Sequence, residues 1–276
     1  MKKILLAGGC SMTDPNYISG VHPEMDCSWP KWPELLAKKL DMDSINLGTC
    51  GAGNEYIYSS LLEKILKKKD QIGLVMVGWT QCQRKDFQVR HLGHWKQKRF
   101  DPDGDVFGWL IKTLRYMISL QLVCENYNIP YKQFQMINLF EGWLNGLYKT
   151  DEELFTNRND PNYEFQYRYP GDRDKDRPKL QKILMDYEPY INAKNFIGWP
   201  THLALGGYDI EQKVIRLPRK KQEKLWNIII TSKEKERELI EKGSEFQYEL
   251  IISERDQHPN EKGQQKIAEF LYDRLG

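Results

Sequence analysis

The sequence predicts a three-layer α/β/α sandwich built on a short parallel β-sheet, with a large insertion before its C-terminal segment. Three observations lead there. Strand-length apolar runs alternate with helix-length segments over residues 1–140. Two of those runs, ILLAG at residues 4–8 and IGLVMVG at 72–78, are continuously apolar, as strands buried on both faces must be. The chain of 276 residues is long enough to bury the core that such a sandwich needs.

Residues 3–8 read as the first strand. Lys2 and Lys3 ahead of it imitate a signal peptide, but Gly8 and Gly9 end the run short of the roughly 7–15 residues of a secretory h-region. The expected location is therefore the cytoplasm, although a phage product released by lysis would look the same. Residues 31–40 (KWPELLAKKL) suit an amphipathic helix, and 44–47 a short strand. From 54 to 69, Ile57, Leu61 and Ile65 recur every four residues with Tyr58, Leu62 and Leu66 beside them, which is one helical face. Residues 72–78 form a buried strand. Leu110, Leu114, Met117, Ile118 and Leu122 mark another helix, and 131–140 (YKQFQMINLF) a further strand. The stretch 156–178 is rich in Tyr, Arg, Asp and Pro and reads as a long loop. The charged run 232–242 and the basic residues Arg216, Arg219, Lys220, Lys221 and Lys224 read as solvated surface. Leu250–Ile252 suits a last strand. A C-terminal helix carries Ile267, Leu271 and Leu275 on one side, with Pro259 at its start. The whole chain, 1–276, is expected to be a single domain, with 141–245 as an irregular insertion.

Lys and Arg number 41 against 39 Asp and Glu, a net charge of +2, so a dedicated nucleic-acid binder is excluded for want of a basic excess. With 12% aromatic residues the chain is not of the disordered class. It has no apolar run near the ~18 residues that would span a bilayer, so no membrane partner is expected. The five cysteines (Cys10, Cys27, Cys50, Cys82, Cys124) show neither C-x-x-C nor zinc spacing, and reduced thiols are expected. His91 and His94 form an H-x-x-H pair in a loop-like stretch and lack a third ligand. Asp101, Asp103 and Asp105 imitate a calcium loop, but Val106 stands at its glycine position and Lys112 at its twelfth. No metal and no cofactor are expected. Trp95, Trp109, Trp143, Tyr163, Tyr167, Tyr169 and Trp199 read mainly as core, with a sugar-stacking surface as the alternative.

In parallel sheets the groups that act lie just beyond the carboxyl ends of the strands. Ser11 follows the first strand in A-G-G-C-S-M-T, where two glycines permit a tight turn and leave the serine N–H free. His258 follows the last predicted strand in D-Q-H-P-N, with Asp256 two residues before it. A serine hydroxyl is a weak nucleophile until a base takes its proton, and a histidine is that base once a carboxylate fixes its tautomer.

These residues give the chain a resemblance to the SGNH (GDSL-like) hydrolases, in the spelling of phage and environmental members. Gly9-Cys10-Ser11-Met12-Thr13 resembles the family's Ser block. Asn46–Asn54 (NLGTCGAGN) resembles its Gly block, with Gly51 in the key place. Val77-Gly78-Trp79-Thr80 with Arg84 resembles the third block in its G-W-[ST]…R form, and Asp256-Gln257-His258-Pro259-Asn260 the last. Order and spread match along almost the whole chain. Three departures stand out: Cys10 replaces the Asp of G-D-S, Thr80 replaces the oxyanion Asn, and Arg255 sits three before the His, so Asp256 must supply the carboxylate. The resemblance implies a serine esterase without cofactor, in which Ser11, His258 and Asp256 form the triad. Ser11 and Gly51, with Thr80 or Asn54, would hold the oxyanion, and Trp79 and Arg84 would bind substrate. The implied substrate is a small-molecule or carbohydrate ester, with O-acetyl groups on a carbohydrate as the leading expectation. The other readings are a non-catalytic glycan-binding or virion module on the same fold, and a lipid or thioester acylhydrolase.

Overall fold

The computed structural model describes residues 2–89, 94–98, 104–139, 173–201, 205–215, 249–253 and 256–275. Among the described residues, five strands, β1 (Ile4–Gly8), β2 (Asp43–Asn46), β3 (Ile72–Trp79), β6 (Tyr131–Gln135) and β7 (Phe196–Ile197), make one sheet in the order β2-β1-β3-β6-β7, every neighbouring pair parallel. Strand order reverses between β1 and β3, so the crevice of this doubly wound sheet opens at the carboxyl end of β1. Strands β4 (Lys85–Val89) and β5 (His94–Lys98) form a separate antiparallel hairpin.

The period-two alternation of the buried strands sorts their side chains into two cores. Leu6, Val75, Val77 and Trp79 face helices α2 (Asn54–Lys68) and α3 (Val106–Asn126), meeting Ile57, Leu61, Ile65, Leu110, Leu114 and Met117. Leu5, Ala7, Met76 and Phe134 face helices α1 (Trp32–Lys39) and α5 (Glu261–Tyr272), meeting Leu36, Ile267, Ala268 and Leu271. Helix α4 (Arg173–Tyr187) adds Leu180 and Leu184 to the first core. The predicted three-layer α/β/α class is the observed one. No described helix is long and apolar enough to cross a membrane.

Five expectations need correction. The strand expected over 131–140 stops at Gln135, because the chain turns at the carboxyl edge: Gln135 Oε1 accepts the Leu139 N–H at 3.3 Å. Leu250–Ile252 does not join the sheet. Only an isolated bridge forms, between Ile251 and Pro259, and the Leu250 and Ile252 backbones pair with Asn260 and His258 instead. The final helix starts at Glu261 after an Asn260 cap, rather than at Pro259. Residues 173–178 of the expected loop are the first turns of α4, and His94 lies in β5 rather than in a loop. The expected insertion supplies α4 and the edge strand β7, whose two residues are too short to register as a periodic run. Residues 156–172, 216–248, His91, Asp101 and Asp103, and the aromatics Trp143, Tyr163, Tyr167 and Tyr169, lie outside the described residues.

Candidate active site

Ser11 sits in a turn three residues beyond the end of β1, where the Thr13 N–H donates to the Cys10 carbonyl at 2.8 Å. Glycine is required on the approach. A Cβ on Gly8 would lie 2.7 Å from the Leu61 side chain, and one on Gly9 would lie 2.2 Å from Thr13 Oγ1. Cys10, at the Asp position of G-D-S, is fully buried in the α1/α5 core and acts there as an apolar residue. Ser11 is only 8% exposed.

The histidine arrives from the other end of the chain. Asn260 caps α5 through the Gly263 N–H at 3.0 Å, and its amide donates to the Ile251 carbonyl at 3.0 Å and the Glu249 carbonyl at 3.2 Å. That cap anchors segment 249–253 against the helix start and leaves 256–258 in the intervening loop. Gln264 in α5 ties the whole to the Ser11 turn: it donates to the Met12 carbonyl at 3.1 Å and accepts the Trp32 N–H at 2.8 Å.

These anchors bring the two ends together. His258 Nε2 lies 2.7 Å from Ser11 Oγ, and His258 Nδ1 lies 2.6 Å from Asp256 Oδ1. The imidazole keeps some access to solvent, while the Asp256 side chain is sealed. Burial alone would push the Asp256 carboxyl up. Hydrogen bonds from His258, Ser19 and Tyr17 outweigh it and hold the carboxyl down to about 2. Ser253 closes the loop, accepting the Asp256 N–H on its hydroxyl at 3.0 Å.

The Gly block packs beside this relay. Cys50 donates its N–H to Asp14 Oδ2 at 2.8 Å, and Thr49 donates to the Gly9 carbonyl at 3.2 Å. Gly48 is pressed to the Ser11 turn so closely that a Cβ there would lie 2.6 Å from the Thr13 carbonyl carbon. Gly51 follows at φ 78°, a conformation that favours glycine. Among the described residues, the N–H groups of Ser11 and Gly51 donate to nothing.

The remaining candidates are placed differently. Asn54 uses its amide on the chain after β3: Nδ2 donates to the Thr80 carbonyl at 3.0 Å and to Thr113 Oγ1 at 3.2 Å, and Oδ1 accepts the Thr80 N–H at 2.9 Å. Both amide hydrogens are engaged, so the expectation of an oxyanion donor at Asn54 is corrected to a structural clamp. Thr80 is fully buried, and its hydroxyl has no partner. Trp79, expected at the substrate, is fully buried in the α2/α3 core with its indole N–H on Gln133 Oε1 at 2.9 Å, because odd-numbered positions of β3 face inward there. Arg84 is half-buried, with Nε on Gln81 Oε1 at 2.9 Å and Nη1 on the Ala52 carbonyl at 3.1 Å, next to Gly51 in sequence. Asp105 caps α3 through the Gly108 N–H at 2.7 Å. No metal-binding cluster occurs among the described residues.

Sequence reasoning missed Tyr17, Ser19, His22 and Asp14. All four lie in the stretch between Ser11 and α1, and no motif marks them. Their signal is spatial, since each contacts residues more than 30 positions away.

Fold and site together define a doubly wound α/β protein with a Ser–His–Asp hydrogen-bond relay beyond the carboxyl end of β1. No protein-family model matches the sequence, and no curated protein matches it. Among solved structures, the chain is similar to a protein assigned to the G-D-S-L lipolytic family from Desulfitobacterium hafniense DCB-2, at 10% identity and a TM-score of 0.44 over 99% of each chain. It is also similar to an acetyl xylan esterase from Butyrivibrio proteoclasticus, at 12% identity and a TM-score of 0.28, over 68% of this chain and 65% of that one.

Proposed function

We propose that this protein is an ester hydrolase with Ser11 as its nucleophile. The observation that carries the reading is the 2.7 Å approach of Ser11 Oγ to His258 Nε2, with Asp256 at 2.6 Å on the other ring nitrogen. Asp256, ionised at neutral pH, accepts a hydrogen bond from His258 Nδ1–H and so leaves Nε2 with a lone pair. Nε2 takes the Ser11 proton as Oγ attacks the ester carbonyl. The N–H groups of Ser11 and Gly51 receive the developing oxyanion. Collapse expels the alcohol, protonated by His258, and leaves an acyl-Ser11. Water, deprotonated by the same imidazole, then releases the acid.

The proposed substrate is a short acyl ester, with O-acetyl groups on a carbohydrate as the leading candidate. The nearly buried Ser11 supports a small acyl group. The half-buried Trp95, edge-on to Tyr56 at 5.6 Å on the hairpin beside α2, supports a ring-stacking surface for the alcohol.

A serine-reactive fluorophosphonate and a series of p-nitrophenyl esters of increasing chain length test this. Labelling of the wild type, its loss in Ser11→Ala, and a preference for acetate are expected. Preference for long chains would select the lipid acylhydrolase reading instead. Ser11→Ala that labels and hydrolyses like the wild type would overturn the mechanism. One observation favours a second reading, a binding or structural module: the Asn54 amide hydrogens are both engaged, and the unpartnered Thr80 hydroxyl is sealed from solvent. A wild type that neither labels nor hydrolyses any ester of the series would establish it.

A further inference from the structure

The stretch between Ser11 and α1 folds back over the acid and base of the relay, and Tyr17 makes the central contact. Its hydroxyl lies 2.9 and 2.8 Å from the two Asp256 oxygens and 2.8 Å from His258 Nδ1. Its ring stacks on the imidazole, with centroids 4.2 Å apart and planes inclined by 29°. Ser19, two residues on, donates its hydroxyl to the same carboxylate. Burial, then the hydrogen bond and charge of Asp256, push the Tyr17 hydroxyl up from its ordinary range, so it keeps its proton at neutral pH. A phenol has one proton to give. With that O–H donated to Asp256, the Tyr17 oxygen can only accept from His258 Nδ1–H, which it shares with Asp256 Oδ1.

We propose that Tyr17 is a positioning residue whose hydroxyl bridges Asp256 and His258, holding the imidazole in the tautomer and plane that Ser11 requires and sharing the carboxylate's charge. The inference rests on the reading of Ser11 as nucleophile and His258 as its base. Charge sharing has a definite sign. An O–H given to the carboxylate draws off negative charge that would otherwise stabilise the imidazolium. Removing it concentrates that charge on His258, which then holds its proton to higher pH. Among the described residues, the titratable groups facing this cluster are Asp256 itself, the Cys27 and Cys50 thiols near Tyr17, and His22, whose Nε2 lies 2.9 Å from Ser253 Oγ. Tyr17→Phe leaves them all in place, along with the ring stack.

The test measures kcat and KM against pH on a short acyl ester, together with 15N NMR of the His258 ring in the resting protein. In Tyr17→Phe, kcat is expected to fall about tenfold, the loss of one hydrogen bond to a charged group, with KM unchanged. The acid limb of the profile moves to higher pH, and part of the neutral ring carries its proton on Nε2. With 3-fluorotyrosine at position 17, a stronger donor of the same shape, the limb moves to lower pH. A Tyr17→Phe protein with the wild-type limb and tautomer overturns the inference. Should that variant fail to fold, the fluorotyrosine protein decides alone, and an unmoved limb counts against Tyr17. A wild type without hydrolysis overturns the nucleophile reading instead, and the ring tautomer in Tyr17→Phe still judges the bridge.

Discussion

Asp256 shows how one buried charge is made tolerable. Its side chain is 2% exposed, and burial by itself would favour the protonated acid. His258 Nδ1, Ser19 Oγ, Tyr17 OH and, at 3.2 Å, the His258 backbone N–H surround the carboxylate with donors. Its carboxyl is held at about 2 in the folded protein against 3.8 in an ordinary setting. A folded value below the unfolded one stabilises the protein above the unfolded value, and that stabilisation is lost as pH falls through the folded one. Asp256 is therefore expected to contribute about 2 kcal/mol above pH ~4 and nothing below pH ~2. Thermal unfolding followed between those limits should show a steeper fall for the wild type than for Asp256→Asn. Parallel curves would show that the donors do not hold the charge.

Each element that delivers a site residue is pinned by a contact at its end. Gly263 lies in the first turn of α5, where a Cβ would come within 2.0 Å of the Leu250 carbonyl oxygen. Segment 249–253 can lie on the helix start only because that side chain is missing. Gly263→Ala is expected to push the segment away and displace His258. Esterase kcat should then fall by about a hundredfold or more, the scale of misplacing a catalytic group by an ångström, while far-UV circular dichroism stays close to wild type. At α2, Asp86 reaches over from β4 and accepts the Gly53 and Tyr56 N–H groups, each at 2.9 Å. It caps the helix from outside and fastens the β4–β5 hairpin to it. Asp86→Ala leaves one buried and one part-buried donor unmet, and urea unfolding should report a loss of about 2 kcal/mol. An unchanged midpoint would show that water replaces the carboxylate at no cost.

Across the whole molecule, the relay joins residues 247 positions apart, and α5 makes that closure stable. Ile267, Ala268 and Leu271 are fully buried against the α1 side of the sheet, in the same core as Trp32, Leu36 and Phe134. Trp32 links the layers, with its indole N–H on Thr13 Oγ1 at 3.1 Å and its backbone N–H on Gln264. A chain ending at residue 248 uncovers one face of the sheet and is expected to be insoluble or to unfold without cooperativity. A soluble truncated protein with a sharp thermal transition would show that α5 is dispensable to the fold.

Apolar spacing was enough to read the layer class, the central strands and most helices, because buried strands and amphipathic helices write their periods directly into it. The sequence also singled out Ser11, His258 and Asp256, since a glycine-flanked serine after a strand and a D-x-H pair before a helix are local patterns. Tertiary structure alone decided the rest. Trp79 and Asn54 changed role because burial and partner choice depend on what packs against them: a fully enclosed indole cannot meet a substrate, and an amide engaged by Thr80 and Thr113 has no hydrogen left. The last apolar run failed to enter the sheet because Asn260 and the Pro259 bridge hold it at the helix start, and β7 took the edge with too few residues to show a period. Tyr17, Ser19 and Asp14 carry no sequence signal at all, because their partners lie far along the chain and only folding brings a donor to its acceptor.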